Sequence, residues 1–428
     1  MPVQPPARSD DPADAPPRPT GTGGSRHHAR LMTATSSETP ARPDPARHDG
    51  PHIHSGQTDR QMVAAWLLAA LVISAVGAVL FGPAVLTIVA VAVATAVGAD
   101  LLMRSSIEAR SGLGSRYAAL TGVMLALTLP PTAPWYVPFV GALAAVVPAI
   151  WMFGGLGHHL WQPALVGRVL VQFLFAPDLS FNHALASGPI LVPGRMLMGD
   201  IHNAQPMAIG SYQGWSRINP DFDIDAVSVA RPIQILRQMA AGQLPVGRSA
   251  PLTVAIRDYL PPWPDTVVGT TSGDIGATCS IALIVVGLYL IYRGFLRWQI
   301  PVFGLLGAAI TAAVLPLTVP ESPGLAATTR WFPATWIEGG QPVGLLYVLF
   351  HLTGGQLLLC LMLPAGDALS RPLLSRGQAI FATAIGALSV LIALYGIGEC
   401  AGYWAVLIGN TFVPIIDRWT RRRPLGLP

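Results

Sequence analysis

Two adjacent histidines and one carboxylate are the residues whose types and settings could carry proton or cation chemistry. His158 and His159 precede an apolar run; they either relay protons or bind a metal, or they are hydrogen-bonded at a helix start. Asp367 follows another apolar run; it either helps to coordinate a cation or accepts backbone hydrogen bonds near a helix end. The sequence contains no Ser/His/Asp order and no Walker-type glycine loop, so nothing supports hydrolytic or nucleotide-driven chemistry.

The composition excludes an ordinary soluble enzyme. Of the 428 residues, 52% are hydrophobic and 11% are charged, whereas soluble domains carry charge at about 25% of positions. All 26 basic residues are arginine, and the net charge of +4 is too small to favour nucleic acid as a partner. The three cysteines are widely separated and form no CxxC, so we interpret them as small buried apolar residues rather than a disulfide framework or a metal site.

Residues 1–60 differ from the rest of the chain. They are rich in Pro, Ala, Asp, Arg and His and have no apolar run long enough to bury, which predicts a disordered tail. They also lack the apolar stretch of a secretory signal, so the tail is predicted to stay in the cytoplasm. Its histidines either form a metal-binding tract or belong to a solvated tail: His27, His28, His48, His52 and His54.

From Met62 onward, apolar runs recur at lengths that can cross a hydrocarbon core, which takes about 20 helical residues. We predict an all-α polytopic membrane protein with about ten transmembrane helices, over residues 62–81, 83–103, 117–129, 135–153, 162–176, 276–292, 301–319, 344–364, 378–396 and 400–416. The predicted organisation is a tail over 1–60, helices one to five within 61–176, a large extracytoplasmic loop over 177–275, helices six to ten within 276–417 and a basic cytoplasmic tail over 418–428. The third and fifth runs are short and end at proline, so their ends are predicted to line a protein interior.

The arginines predict the orientation of these helices through the positive-inside rule. With the N-terminus in the cytoplasm, only Arg330 falls in a short external loop. The arginines then predicted to lie on the cytoplasmic side are Arg104, Arg110, Arg116, Arg293, Arg297, Arg371, Arg376, Arg418, Arg421, Arg422 and Arg423. Both termini are therefore predicted to be cytoplasmic.

Two similar segments indicate an internal repeat. Residues 120–122 (LTG) lead through spaced leucines to Pro130, and residues 352–354 (LTG) lead through spaced leucines to Pro364. They lie in the predicted third and eighth helices, five helices apart, so the two copies would cross the membrane in opposite directions. Such an inverted-topology pair of five-helix repeats is typical of proteins that bind ligands near the membrane midplane. The alternative is that LTG followed by leucines is common in membrane helices.

An ordered series of motifs resembles one family, the RnfD/NqrB membrane subunits of bacterial Rnf and sodium-pumping NADH:quinone oxidoreductase complexes. The resemblance covers nearly all of the chain after residue 50 and is closer to RnfD than to NqrB. The segments that carry it are residues 51–56 (PHIHSG), 120–131 (LTGVMLALTLPP), 153–157 (FGGLG), 163–168 (PALVGR), 273–278 (GDIGAT, similar to GSIGET), 287–301 (GLYLIYRGFLRWQIP), 353–355 (TGG), Asp367, 376–377 (RG) and 410–418 (NTFVPIIDR).

This resemblance implies a flavin mononucleotide on the extracytoplasmic side, esterified in the family to a threonine of an S-G-A-T segment. The matching residues here begin at Ser228, but the glycine is replaced by Val229 and the acceptor threonine by Arg231. Arginine has no hydroxyl, so we expect no covalent link at this position. Residues 276–278 (GAT) either form a relocated attachment site at Thr278 or are simply the family's GET with alanine in place of glutamate.

The resemblance leaves FMN, or riboflavin, as a cofactor that is held without the covalent bond. A helix starting near Gly276 and Thr278 would offer free backbone N–H groups to a phosphate, and Arg231 would either pair with that phosphate or be a solvated surface residue. The candidate cofactor-binding residues are therefore Ser228, Arg231, Gly276 and Thr278.

Two functions follow as hypotheses from different classes. The first is an RnfD-like subunit of an ion-translocating electron-transport complex in the bacterial inner membrane, with other Rnf-type membrane and redox subunits and the lipid bilayer as partners. The second is a transporter or channel-like protein on the same scaffold whose redox function has been lost, since the RnfD fold is similar to that of urea transporters. A structural assembly subunit is a further interpretation.

Overall fold

The computed structural model describes residues 58–107, 114–176, 179, 232–240, 260, 263–269, 271, 273–319, 328–337, 342–396 and 400–421. The chain divides into two compact units, Met1–Ser55 and Gly56–Pro428, and all described residues belong to the second. The predicted tail of residues 1–60 therefore lies almost entirely outside the described residues. So does most of the predicted loop over 177–275, including Ser228 and Arg231.

The described part of the chain is helical apart from one short antiparallel ribbon. The helices are α1 (Asp59–Phe81), α2 (Ala84–Ile107), α3 (Gly114–Leu127), α4 (Tyr136–Val146), α5 (Pro163–Leu174), α6 (Pro232–Ala240), α7 (Trp263–Val268), α8 (Ser280–Tyr292), α9 (Gln299–Val314), α10 (Val343–Thr353), α11 (Leu357–Met362), α12 (Ser375–Tyr395) and α13 (Ala401–Thr420). The ribbon pairs β1 (Leu317–Val319) with β2 (Thr328–Arg330), and 3-10 turns cover Trp151–Phe153, Pro333–Thr335 and Pro364–Gly366.

Four of the described helical segments are long and apolar enough to cross a membrane, namely Asp59–Phe81, Ala84–Ser105, Tyr136–Phe153 and Ser375–Tyr395. A fifth span results if α10 and the following segment Leu357–Gly366 are counted together across their 51° bend. The prediction of a helical membrane protein is confirmed at this level. Helices α5, α8 and α9 are apolar but shorter.

Helix α8 begins at Ser280, later than the start predicted near residue 276. Before Ser280, the N–H of Ile275 donates to the Leu129 carbonyl at 2.9 Å, and the N–H of Gly276 donates to the Leu127 carbonyl at 2.8 Å. These donors are paired with the carboxyl end of α3, so this segment lies against the end of α3 and turns into a helix only after Cys279.

The two LTG segments have the same local hydrogen bond but different backbones. The hydroxyl of Thr121 donates to the Tyr117 carbonyl and that of Thr353 to the Leu349 carbonyl, both at 2.9 Å. Helix α3 continues through its copy, whereas α10 ends at Thr353 and bends into α11. The second copy continues with Gly355 where the first has Val123, and consecutive glycines have the low helix propensity that a break requires.

Helices α9 and α12 cross at glycines. A methyl group added to Gly386 would overlap the carbonyl oxygen of Gly304, and one added to Gly307 would overlap the carbonyl oxygen of Thr383. Small residues at such a crossing let two backbones approach closely, which is how membrane helices gain packing energy without a hydrophobic driving force. This crossing holds α12, one wall of the cleft described below.

Candidate functional site

A cleft that is partly open to the exterior lies where α10 bends into α11. The cleft is lined by α6, α7, the segment before α8, the α10–α11 bend, α12 and the start of α13. Six parts of the chain therefore form one site beside a broken helix, where helix ends are available to a ligand.

Three buried polar side chains line this cleft without a hydrogen-bond partner among the described residues. They are the hydroxyls of Thr266 and Thr278 and both ring nitrogens of His351. Thr278 is 5% exposed and His351 is 3% exposed. Leaving a buried polar group unpaired costs about 1–3 kcal/mol, so these groups favour a polar ligand in the cleft. Apolar residues, Val390 and Ala393 among them, form part of the wall.

The only described arginine on the cleft lining is Arg237 of α6. Ile233 and Gln234 of the same helix also line the cleft. Helix α6 begins at Pro232, directly after Arg231. A guanidinium at this position provides a planar, permanently charged donor suited to a phosphate group.

A buried carboxylate forms part of the cleft floor. Asp274 is 1% exposed, and its Oδ2 accepts hydrogen bonds from the Gln356 amide at 2.9 Å and the Tyr403 hydroxyl at 2.7 Å. These three residues come from the segment before α8, the α10–α11 bend and α13. The cleft therefore contains a fixed acceptor that is held by two donors.

A positive charge close to this network belongs to Arg168, which is fully buried on α5. Its Nε donates to the Thr128 carbonyl and its Nη1 to the Gln172 amide oxygen, both at 2.8 Å. Its guanidinium carbon lies 5.6 Å from the centre of the Tyr403 ring. Tyr403 thus contacts the arginine through its ring and Asp274 through its hydroxyl, which places compensating charges on either side of one side chain.

The structure brings one of the four predicted cofactor residues to the cleft. Thr278 lines it with an unpaired hydroxyl. Gly276 packs against Leu127, where an added Cβ would lie 2.8 Å from the Leu127 Cβ, and its N–H is already bonded. Ser228 and Arg231 lie outside the described residues.

His159 and Asp367, the two proton or cation candidates, meet at a second polar cluster. The Tyr117 hydroxyl donates to Asp367 Oδ2 at 2.6 Å and lies 3.3 Å from His159 Nε2. All three side chains are buried, whereas His158 is exposed. The preceding FGGLG segment has left-handed φ angles at Gly154, Gly155 and Gly157, which favour glycine and turn the chain so that His159 points inward.

Burial lowers the pKa of His159, an effect that the charge of Asp367 opposes and that of His158 reinforces. Because the unfolded chain binds this proton more readily than the folded protein, the resulting stability is complete above the ordinary pKa of about 6.5 and declines as the pH falls below it.

We therefore expect the unfolding temperature to fall as the pH is lowered through this range, and to fall less in His159→Gln. The unfolding temperature is measured with a thiol-reactive fluorophore, which reports when the buried Cys360 and Cys400 become exposed. His158→Gln should keep the slope of the unmodified protein, and equal slopes in all three proteins would contradict the expectation.

Sequence reasoning missed most of the cleft residues. Asp274 and Arg168 carried a usable signal, because a charged residue inside or next to an apolar run is costly and marks a functional position. Gln356, Tyr403 and His351 gave no comparable signal, since single polar or aromatic residues occur throughout membrane helices.

Comparison with known proteins gives one consistent result. The family model described as "NQR2, RnfD, RnfE family" matches residues 47–426. The chain is 28% identical over 380 residues to the D subunit of the ion-translocating oxidoreductase complex of Halorhodospira halophila, covering 88% of this chain and 94% of that protein. It is 26% identical to the D subunit of the Na(+)-translocating ferredoxin:NAD(+) oxidoreductase complex of Acetobacterium woodii, with the same two coverages. It is 27% identical to the D subunit of the proton-translocating ferredoxin:NAD(+) oxidoreductase complex of Clostridium ljungdahlii, again with those coverages.

Proposed function

Because the chain belongs to the NQR2, RnfD, RnfE family, we infer that it is an RnfD-like membrane subunit of an ion-translocating electron-transport complex. The observation that carries this inference is the match of one family model to residues 47–426, which includes both helical halves and the cleft. Its partners are other Rnf-type membrane and redox subunits. Purification of the tagged chain from its own membranes tests the assignment: those subunits should co-purify. Solute flux across liposomes that contain only this chain would instead favour a transporter or channel-like protein.

We propose that the cleft binds FMN or riboflavin without a covalent bond. The residues present fit a flavin: a flat cofactor with an apolar face and a polar edge matches a cleft that has aliphatic walls and unpaired polar side chains at Thr266, Thr278 and His351. When bound there, a flavin supplies one- and two-electron transfer. The missing hydroxyl at Arg231 removes the usual attachment but leaves this cleft intact.

Four cleft residues have a definite task in this proposal. Thr278 would donate its hydroxyl to the flavin. Asp274, held by Gln356 and Tyr403, would accept a hydrogen bond from it. Val390 and Ala393 exclude water, which strengthens both polar contacts. The flavin is thus oriented by side chains that are fixed before it binds, and this lowers the entropic cost of binding.

A phosphate, if FMN is the form bound, would be held by arginine. Arg237 lines the cleft, and Arg231 immediately precedes the helix that carries it. Two guanidinium groups offer planar donors to phosphate oxygens. This assignment requires that the complex binds FMN more strongly than riboflavin. It also requires that Arg237→Gln loses this preference.

The membrane topology that we propose has ten spans in two inverted five-helix halves, with both termini in the cytoplasm of the bacterial inner membrane and residues 177–275 on the other side. Support comes from the apolar helices, from the LTG copies in α3 and α10, and from the arginine distribution. Arg104, Arg293 and Arg418 all lie at or just beyond the carboxyl ends of helices that run in the same proposed direction.

Replacing Thr278 by valine should weaken flavin binding about threefold to tenfold, because valine keeps the shape of threonine but loses one hydrogen bond of about 0.5–1.5 kcal/mol. The measurement is titration of the flavin-stripped complex with FMN, followed by quenching of flavin fluorescence. Thr353→Val is the matched control: Thr353 also lines the cleft, but its hydroxyl is bonded to the Leu349 carbonyl.

The control should bind flavin as the unmodified complex does. Equal weakening in both variants, or none in Thr278→Val, would remove Thr278 from the flavin site. An intact complex in which this subunit holds no acid-releasable flavin would overturn the flavin proposal as a whole.

A further inference from the structure

The cluster of Tyr117, His159 and Asp367 is separate from the cleft and is not explained by flavin binding. Its members come from α3, from the coil between α4 and α5, and from the residue after the Pro364–Gly366 turn. None of the three lines the cleft. All are at least nine-tenths buried: Tyr117 is 3% exposed, His159 4% and Asp367 6%.

The distances determine where the protons lie. Tyr117 has a single hydroxyl proton, and the 2.6 Å contact with Asp367 Oδ2 takes it. The tyrosine oxygen can therefore only accept from His159 Nε2, 3.3 Å away, so the neutral ring carries its proton on Nε2. Its Nδ1 then has a free lone pair, and this atom is buried with no hydrogen-bond partner in the part of the chain that the structure describes.

Helix capping does not account for these residues. The start of α5 is capped by Gln162, whose side chain accepts from the Ala164 N–H at 2.8 Å. His159 makes its bond to Tyr117 instead. Asp367 accepts a backbone N–H from Leu369 at 3.3 Å through Oδ1, but its shorter bond, through Oδ2, is to Tyr117. The arrangement is a continuous line of two titratable side chains joined by a hydroxyl.

The surrounding charges are few and of both signs. The negative charge of Asp367 favours a proton on His159, while the neighbouring His158 opposes it when charged. Arg371 interacts electrostatically with Asp367 and with Arg297. A proton that arrives on Asp367 therefore removes the negative charge with which both His159 and Arg371 interact.

We propose that His159, Tyr117 and Asp367 form a proton relay that takes up a proton at His159 Nδ1 and holds it on Asp367. In one passage, an N–H bond forms at Nδ1 while Nε2 passes its proton to the Tyr117 oxygen, and Tyr117 passes its own proton to Asp367 Oδ2. The ring ends neutral with its proton on Nδ1, and the carboxylate ends as a carboxylic acid, so one proton is gained and no electron moves. The proposal deepens the proposed function, on which it rests, by naming the proton as the ion that this subunit handles.

The test is pH-difference infrared spectroscopy on the purified full chain in lipid, read at the carbonyl stretch of protonated carboxylic acids. All 22 acidic residues can contribute to this band, so we expect the band that appears on lowering the pH to contain a component that is missing in Asp367→Asn. Tyr117→Phe, which keeps both titratable ends but removes the linking hydroxyl, should slow the appearance of the band after a pH jump by about tenfold or more, because positioned proton transfer contributes about 10²–10⁴-fold. His159→Gln should slow it similarly, and the exposed neighbour variant His158→Gln should not.

Each outcome decides the proposal. A low-pH band of the same shape and intensity in Asp367→Asn and in the unmodified protein would show that Asp367 takes up no proton. Unchanged kinetics in both Tyr117→Phe and His159→Gln would show that no relay connects them. If Tyr117→Phe fails to fold, His159→Gln, which differs from its control only in position, answers the same question. The infrared titration needs no electron transfer, so its result does not depend on whether the complex translocates ions. A complex that translocates no ion would overturn the proposed function but not the protonation of Asp367.

Discussion

Replacing Val229 by glycine and Arg231 by threonine together is expected to give this chain a covalently attached flavin, whereas the unmodified chain carries none. The double change recreates S-G-A-T from Ser228 onward and supplies the hydroxyl that a phosphoester bond needs; arginine has only nitrogen donors. The effect is all-or-none, since a bond either survives denaturation or does not. The measurement is in-gel flavin fluorescence after denaturing electrophoresis, with an Rnf-type flavin transferase co-expressed.

The matched control for this experiment is Val229→Gly with Arg231→Val. Valine has the size and branching of threonine but no hydroxyl, so this variant should show no fluorescent band. A band in the unmodified chain would contradict our interpretation of Arg231. Its loss in Thr278→Val would then identify residues 276–278 as a relocated attachment site. A double variant that stays dark while the transferase labels another substrate would show that the segment around residue 231 is not presented to the enzyme.

Replacing Gly386 by leucine is expected to prevent stable folding. Even a methyl group at this position would overlap the Gly304 carbonyl oxygen, and the atoms it meets are backbone rather than flexible side chain. Inserting extra carbon atoms into a packed interior costs about 1–3 kcal/mol where side chains can move, and here two helices would have to separate. Since native proteins are stable by only about 5–15 kcal/mol, we expect little monodisperse protein in detergent and a clearly lower unfolding temperature.

Gly98→Leu is the control for this second prediction. Gly98 lies in α2, another membrane-capable helix, but an added Cβ there meets no atom within 4 Å. The same glycine-to-leucine change should therefore leave yield and unfolding temperature close to those of the unmodified protein. Similar behaviour of the two variants, whether both fold or both fail, would mean that the close approach of α9 and α12 does not limit stability.

The sequence by itself determined the helical class of this protein, the approximate places of its helices and the presence of an arginine at position 231. These are local properties: a run of apolar residues must be helical in lipid because its backbone groups have no water to bond, and an arginine lacks a hydroxyl in any fold. The family resemblance, carried by motifs in order along the chain, was confirmed by the match to residues 47–426.

Only the tertiary structure decided which residues meet. The segment before α8 bonds to the carbonyls of Leu127 and Leu129, about 150 positions earlier in the chain, and no local pattern reports such a bond. Asp274, Gln356 and Tyr403 converge from three segments, as do Tyr117, His159 and Asp367. The sequence left His159 and Asp367 with two interpretations each, because a side chain's chemistry depends on the neighbours that folding brings to it, and these neighbours lie up to 250 positions away.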